Sequence, residues 1–470
     1  MRTFAWIGQR AGVTSLLASH CSKSPFIRSS TRLISPPRPI SPLVLKCSWS
    51  KKPSKMDFRV ATYNVLCSHL AEPSHFPQCS PKHLDAATRL RRVKHKLEPE
   101  ISKGSVICLQ EVGVEWAGDL HVFFMAKGYT FITALYGKHF NNYMGVALAW
   151  PVDKYECLTV DITRLSETRR WGREPRVNRE DKDATTAAAT PAAAPATATE
   201  QAGWGGPLGA LMKLAGRGIK RPREEADRGE AVVVQQTKKT QLGRPAPRSN
   251  NVAITPPSQI AERRFNQVLF ARLRPKNASS ASDVTSGGTF CVGTYHMPCL
   301  FNIRPVMVMH TSLAIKHVAK LAGSDPFVLA GDFNFNPDSE CYKLAVEGDL
   351  PASSDGYPVV PEWEKDWSPK TGVSLESAYR QVDGKEPDFT NNAKVEDWDP
   401  FIDTLDYIFH TPGVTATKVL PLKHRSEVKG PFPIAEEPSD HVLLAAEYSI
   451  DPPSGGGGGG VSNGSGGDRA

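Results

Sequence analysis

Six polar sites sit at the ends of short apolar runs, and their side chains are of the kinds that hold a hard metal ion or move a proton. Asn64 follows Val60-Ala61-Thr62-Tyr63, and Glu111 follows Val106-Ile107-Cys108-Leu109-Gln110. His296 follows Val292-Gly293-Thr294-Tyr295. Asp332 and Asn334 follow Val328-Leu329-Ala330-Gly331. Asp406 opens the run Asp406-Tyr407-Ile408-Phe409, and Asp440-His441 precede Val442-Leu443-Leu444. Carboxylates and amides emerging together from rigid strand ends make an oxygen-rich cluster that suits Mg²⁺ or Mn²⁺. The two histidines add groups that stabilise negative charge or carry protons. Singly each signal is weak, since a lone Glu after a strand is usually solvated and Gly-Asp-Phe-Asn alone makes an ordinary Asx turn. Their joint occurrence in one block is far more specific.

Those six sites need strands to aim them, and the apolar runs supply them. Runs at 58–63, 105–109, 129–135, 145–150, 265–273, 290–295, 327–330, 406–409 and 442–448 read as strands by length and β-branched content. The 265–273 run alternates, with Phe265, Val268 and Phe270 among polar neighbours. Leu90, Val93, Leu97 and Ile101 share one helical face, with Pro99 marking an early end; Pro305 suits a helix start, and Val306, Met309 and Leu313 continue its face. Strands outnumber helices, so a β-sandwich covered by helices is favoured over a parallel doubly wound sheet.

The chain's 470 residues are not all of one kind. Residues 1–56 hold ten Lys/Arg, eleven Ser and no acid, the composition of a transit peptide. A mitochondrial address is expected, a plastid one second, and a cytoplasmic or nuclear one if translation starts at Met56. Residues 167–258 form a low-complexity, net +6 insert containing an Ala/Thr/Pro run and the basic cluster Lys220-Arg221-Pro222-Arg223; disorder is expected there. The tail 451–470 is rich in Gly and expected to be flexible. The remaining 57–450 block, with the insert excised, is expected to be one catalytic domain. Outside the two basic segments, 31 basic residues face 39 acidic ones, a net of −8, which argues against a nucleic-acid-coating surface and for a metal-dependent enzyme or a partner held in a cleft. Nine scattered Cys without a CxxC pair argue against a disulfide framework or zinc module. No run reaches the ~18 apolar residues of a membrane-spanning helix, and no membrane partner is expected.

The segments Thr62-Tyr63-Asn64-Val65-Leu66, Leu109-Gln110-Glu111-Val112, Gly331-Asp332-Phe333-Asn334, Thr404-Leu405-Asp406-Tyr407-Ile408 and Ser439-Asp440-His441 resemble the signature blocks of the endonuclease/exonuclease/phosphatase superfamily. The Leu-Gln-Glu-Val block, His296 after Thr294-Tyr295, and Phe389-Thr390-Asn391 ahead of Asp406 are similar to its deadenylase-like branch, which includes carbon catabolite repressor-type deadenylases, nocturnin, the Angel proteins and the 2′,5′-phosphodiesterase. The His296-Met297-Pro298-Cys299 stretch and the long loop from Asn391 to Asp406 depart from that pattern. The resemblance implies an α/β fold of four layers, two packed mixed β-sheets flanked by helices, and Mg²⁺- or Mn²⁺-dependent phosphoester hydrolysis. It implies that Glu111 binds the metal, that Asn64 holds a phosphate oxygen or a metal-bound water, and that Asp440 serves a second metal or its waters. Asp332 would orient and deprotonate the attacking water, and Asn334 and His296 would contact the phosphate. Asp406 would support His441, which stabilises transition-state charge. Phe401 is expected to stack on a base, with Pro298 and Asn391 lining the same pocket; Arg304 is a candidate phosphate contact. Trp363, Trp367 and Trp398 are expected to form a rim or to anchor the loop that carries them.

The expected substrate is a single-stranded RNA 3′ end, with an adenine-containing small nucleotide as the second reading. A 2′,5′-phosphodiesterase, a DNA-repair nuclease and a catalytically dead binding protein are the remaining alternatives. The oligomeric state has no sequence signal.

Overall fold

The computed structural model describes residues 55–172, 255–276 and 288–450. The expectations for the transit-like segment, the tail and residues 173–254, including Lys220–Arg223, lie outside the described residues.

Two six-stranded mixed sheets dominate. The first runs β13 (Val414–Val419), β14 (Leu444–Ile450), β1 (Met56–Asn64), β2 (Val106–Val112), β4 (Gly145–Pro151), β3 (Tyr129–Leu135). The second runs β5 (Tyr155–Arg164), β6 (Gln267–Pro275), β7 (Phe290–His296), β8 (Phe327–Asp332), β12 (Asp406–His410), β9 (Glu376–Ser377). A short hairpin pairs β10 (Asn391–Ala393) with β11 (Phe401–Asp403). Each large sheet holds one parallel pair, β1 with β2 and β7 with β8. A parallel pair needs a crossover, and here each crossover carries a long helix, Ala86–Lys103 in the first sheet and Arg304–Ala322 in the second.

Strand periodicity sorts the core into three apolar layers. Phe58, Val60, Val106, Cys108, Val292, Val328, Ala330, Ile408 and Leu444 meet between the sheets. The alternate residues Ala61, Tyr63, Ile107 and Leu109 face Leu90, Val93, Leu97 and Leu120 of the first helical layer. Tyr295, Leu329, Tyr407 and Phe409 face Val306, Met309 and Leu313 of the second. The result is the four-layered sandwich expected from the sequence. Among the described residues no helix is long and apolar enough to cross a membrane.

Several boundaries differ from the sequence reading. The first helix runs through Pro99 to Lys103, because Ile101 is buried and Glu100 is bonded to Arg59 and Ser105. That anchoring outweighs the lost hydrogen bond at proline. Phe265 lies outside β6, and Val268 to Ala271 are buried consecutively because both faces of that strand are covered. The strand β5 lies outside the runs expected from the sequence, although Leu158, Val160 and Ile162 alternate with polar residues there. The ordered chain extends past 167: Arg169 pairs with Glu364 at 3.0 Å and packs on Trp171 and Trp367, and Gly172 N–H donates to Glu364. Trp367 thus anchors its loop, whereas Trp363 is exposed and Trp398 packs against the small cluster around Leu66 and Phe76.

Beneath the first sheet, Arg59 donates to both oxygens of Glu100 at 2.6 and 3.0 Å and to Glu447 at 2.9 Å. Burial alone raises the Glu100 carboxyl, but hydrogen bonds from Arg59, Lys103 and Ser105 hold it at about 2, below its ordinary 4.5. A depressed folded-state value means that this stabilisation is complete above about pH 4.5 and is lost as pH falls towards about 2. Urea midpoints measured across that window are expected to fall in the wild type and to fall less steeply in Glu100→Gln. Glu100→Ala is expected to cost about 3 kcal/mol at neutral pH by leaving a buried guanidinium short of a partner.

Candidate active site

The catalytic candidates occupy one end of the inter-sheet space, and the period of two puts them there. On β1 the inward stripe Phe58, Val60 continues as Thr62 and Asn64; on β7 Phe290, Val292 continues as Thr294 and His296; on β8 Val328, Ala330 continues as Asp332; on β12 Ile408 gives way to Asp406. The core stripe of four strands turns polar at the same end. Gln110 closes the apolar core beneath the site, donating to Thr62 at 3.1 Å and across the sheets to Thr294 at 3.0 Å.

Glu111 does not follow that stripe. A bulge between Gln110 and Val112 and a left-handed backbone, φ 60°, turn it out of register. Its side chain then accepts from Asn64 Nδ2 at 3.1 Å and from Cys67 N–H at 2.9 Å. A strained residue held against its neighbours is a common feature of working sites. Gly331 is required for a different reason: a Cβ there would lie 1.9 Å from the Tyr295 carbonyl oxygen.

Asp332 is the hub. Its Oδ2 accepts from Asn64 Nδ2 at 2.9 Å and lies 3.6 Å from His296 Nε2 and 3.7 Å from His441 Nε2. His441 Nδ1 is 2.7 Å from Asp406 Oδ2. Burial lowers the His441 imidazole, but Asp406, Asp332 and Asp440 more than offset this, and it is held protonated well above its ordinary value. Burial raises the Asp332 carboxyl, against the pull of His441. Asn334, at φ 52°, donates from its backbone to Asp332 Oδ1 at 2.9 Å and from its amide to the Met297 carbonyl at 2.9 Å. The His296-Met297-Pro298-Cys299 stretch therefore braces His296 against Asn334.

Two sets of ligand atoms lie within 4.8 Å of one another: Glu111, His296 and Asp332; and Asp332, Asp406 and His441. Asp406 Oδ1 and His296 Nδ1 are buried without a partner. Hard carboxylate oxygens and buried polar atoms left without partners fit a divalent metal and a charged substrate. Asn64 is placed to hold a phosphate oxygen or a metal-bound water, and not to ligate a metal directly. Its oxygen accepts from Leu66 N–H at 2.9 Å and its nitrogen faces the carboxylates, so it offers the cluster a donor and not a ligand oxygen. Asp440 belongs to neither ligand set; its Oδ2 is 3.3 Å from Asn391 Nδ2, and burial raises its carboxyl.

A cavity of about 410 Å³ adjoins this centre, with Asn334, Phe401, Phe335, Phe301 and Arg304 in its wall. Pro298 and Asn391 do not line it, contrary to expectation. Pro298 is buried in the brace, and Asn391 sits on the hairpin beside Asp440 and bridges His441. Arg304 lies at the cavity with its side chain 58% exposed, 4.0 Å from Glu340. The sequence reading missed Phe301 and Phe335, which the fold alone carries to Phe401, and Asn266, whose side chain donates to the His296 carbonyl at 2.8 Å.

A family model for the endonuclease/exonuclease/phosphatase family matches residues 61–441, and the chain belongs to that family of phosphoester hydrolases. Its sequence relatives are of the deadenylase-like branch. Nocturnin of Drosophila melanogaster is 29% identical over 195 residues, covering 40% of this chain and 29% of that protein. The CCR4-Not complex 3′-5′-exoribonuclease subunit Ccr4 of Yarrowia lipolytica is 31% identical over 129 residues, 27% of this chain and 17% of the relative. The match thus spans less than a third of either relative. The crystal structure of ANGEL2, a 2′,3′-cyclic phosphatase, in complex with adenosine-2′,3′-vanadate superposes with a TM-score of 0.54 at 18% identity, covering 84% of this chain and 96% of that one. At that identity it shows a shared fold.

Proposed function

We propose that this chain is a Mg²⁺-dependent phosphodiesterase that removes nucleotides from the 3′ end of single-stranded RNA, taking the terminal base, adenine by preference, into the Phe401 cavity. The observation that carries this reading is the position of Asn334, which is bonded to Asp332 in the catalytic cluster and also forms part of the cavity wall. A nucleoside in the cavity then has its phosphate at the cluster, and 410 Å³ is in the range of small-ligand sites.

Glu111, with the neighbouring Asp332 carboxylate, would hold the metal. When bound, Mg²⁺ supplies Lewis-acid polarisation of a phosphoryl oxygen and a template for the substrate. Asp332, raised by burial, accepts the proton of the attacking water. His441, kept cationic by Asp406, stabilises the negative charge of the pentacoordinate transition state. His296 and the uncommitted amide hydrogen of Asn334 donate to the phosphate. Phe401, half-buried on the hairpin, stacks on the base; Phe401→Ala is expected to raise KM for oligoadenylate about tenfold with kcat little changed.

The acidic balance of the catalytic block favours a second reading, a phosphatase acting on a small adenine nucleotide. The full chain is tested with 5′-labelled A20, U20 and NADPH, with Mg²⁺ or with chelator, beside Glu111→Gln. Stepwise, metal-dependent shortening of A20 in preference to U20 supports the exoribonuclease. Phosphate release from NADPH with RNA untouched moves the chain to the second reading. Turnover retained by Glu111→Gln sinks both.

A further inference from the structure

We propose that Lys138 and Arg164, gathered on the ring of Phe265 at the His296 side of the catalytic centre, form a second phosphate subsite that binds a substrate phosphate other than the one cleaved. The inference rests on the phosphoester-hydrolase reading and deepens it. Lys138 Nζ lies 4.9 Å and the Arg164 guanidinium carbon 5.6 Å from the centroid of Phe265. The residue after Phe265 is Asn266, which donates to the His296 carbonyl at 2.8 Å, so the pair of cations is tied through two residues to a phosphate-facing histidine.

The loop that carries Lys138 is built against the site. Lys138 N–H donates to Asn141 Oδ1 at 2.7 Å, and the Asn141 carbonyl accepts from the Cys67 thiol at 3.3 Å. Cys67 N–H in turn donates to Glu111. The Lys138 loop is thus braced on the same segment that positions Glu111.

Among the described residues neither cation is paired with a buried carboxylate. Lys138 is exposed and has no ion-pair partner among the described residues. Among the described residues Arg164 meets one carboxylate, Glu167 at 3.4 Å, whose side chain is 68% exposed, and its Nε donates to the Arg264 carbonyl at 2.8 Å.

The physical need is clear. Glu111, Asp332, Asp406 and Asp440 crowd negative charge into the centre, which repels a polyanion. Exposed or weakly paired cations beside that centre offset the repulsion, and an aromatic ring that carries them fixes their place. The catalytic centre is then flanked on the Asn334 side by the cavity for a base and on the His296 side by the subsite for a neighbouring phosphate.

The test compares wild type, Lys138→Ala, Lys138→Arg and Arg164→Gln in the full chain. Substrates are pentaadenylate, the single-phosphate dinucleotide ApA, and adenosine 3′,5′-bisphosphate. Lys138→Ala is expected to raise KM for pentaadenylate about tenfold with kcat unchanged and to leave ApA unaffected. The slope of log affinity against log salt should shrink by about 0.7 for the lost contact, and Lys138→Arg should restore both. An equal effect on the bisphosphate assigns the subsite to any second phosphate; an effect on pentaadenylate alone assigns it to a polymer. Binding of fluorescent pentaadenylate in chelator reads the subsite without turnover. Salt-sensitive, Lys138-dependent binding by a protein inert on every substrate would uphold the subsite and sink the hydrolase reading. Unchanged KM and unchanged binding in both Lys138→Ala and Arg164→Gln, with turnover intact, overturn the subsite.

Discussion

Asp332→Asn is expected to lower kcat by about four orders of magnitude while the protein stays folded. Asp332 belongs to both sets of close ligand atoms, and its Oδ2 is within 4 Å of both histidines. The asparagine keeps shape and volume but can neither take a proton from water nor supply a ligand charge. It also turns a donor towards Asn64 Nδ2, which now donates to Asp332 at 2.9 Å, or else presents a neutral oxygen there. Stability should be unchanged or higher, because burial, and after it the like charge of Asp406, raises the cost of ionising Asp332. Single-turnover kinetics read the loss, and thermal unfolding reads the fold. A kcat within tenfold of wild type would remove Asp332 from the reaction and leave the proposed roles without a proton acceptor.

The second large effect concerns the Asp406–His441 pair. Asp406→Asn and His441→Gln are each expected to lower kcat about a thousandfold, and the double variant should be little worse than either alone, because the two residues act as one unit. The 2.7 Å contact is buried, with both side chains almost wholly out of solvent. His441 must be protonated to stabilise transition-state charge, and it is held so against burial chiefly by Asp406. Removing Asp406 therefore lowers the imidazole value, so the alkaline limb of the kcat profile moves to lower pH in Asp406→Asn. Additive losses, or an alkaline limb that does not move, would show that Asp406 does not act through His441.

Much of this site could be read from local sequence. Asn64, His296, Asp332 and Asp406 stand at the ends of apolar runs and within recognisable motifs, which singled them out; the structure adds that they continue the inward stripes of Val60, Val292, Val328 and Ile408. The helix face Leu90, Val93, Leu97, Ile101 was legible in the same way, and it packs as that spacing requires. Where local rules misled, a distant partner was responsible. Pro99 failed to end its helix because Arg59, 40 residues earlier, holds Glu100 in place. Residues 169–172 are ordered because Glu364 and Trp367 receive them.

The residue types, their order and the stripes that carry them belong to the sequence, because side-chain alternation along a strand is a property of a few consecutive residues. The fold decided the rest. It turned Glu111 inward through a bulge that exists only against β4, pointed the Asn64 nitrogen and not its oxygen at the carboxylates, and moved Asn391 from the base pocket to Asp440. It also brought Phe301 and Phe335 to Phe401, and Lys138 and Arg164 to Phe265. Each of these depends on contacts between segments tens to hundreds of residues apart. Such contacts follow from how two sheets and their helices bury a common core, and no window of neighbouring residues contains that information.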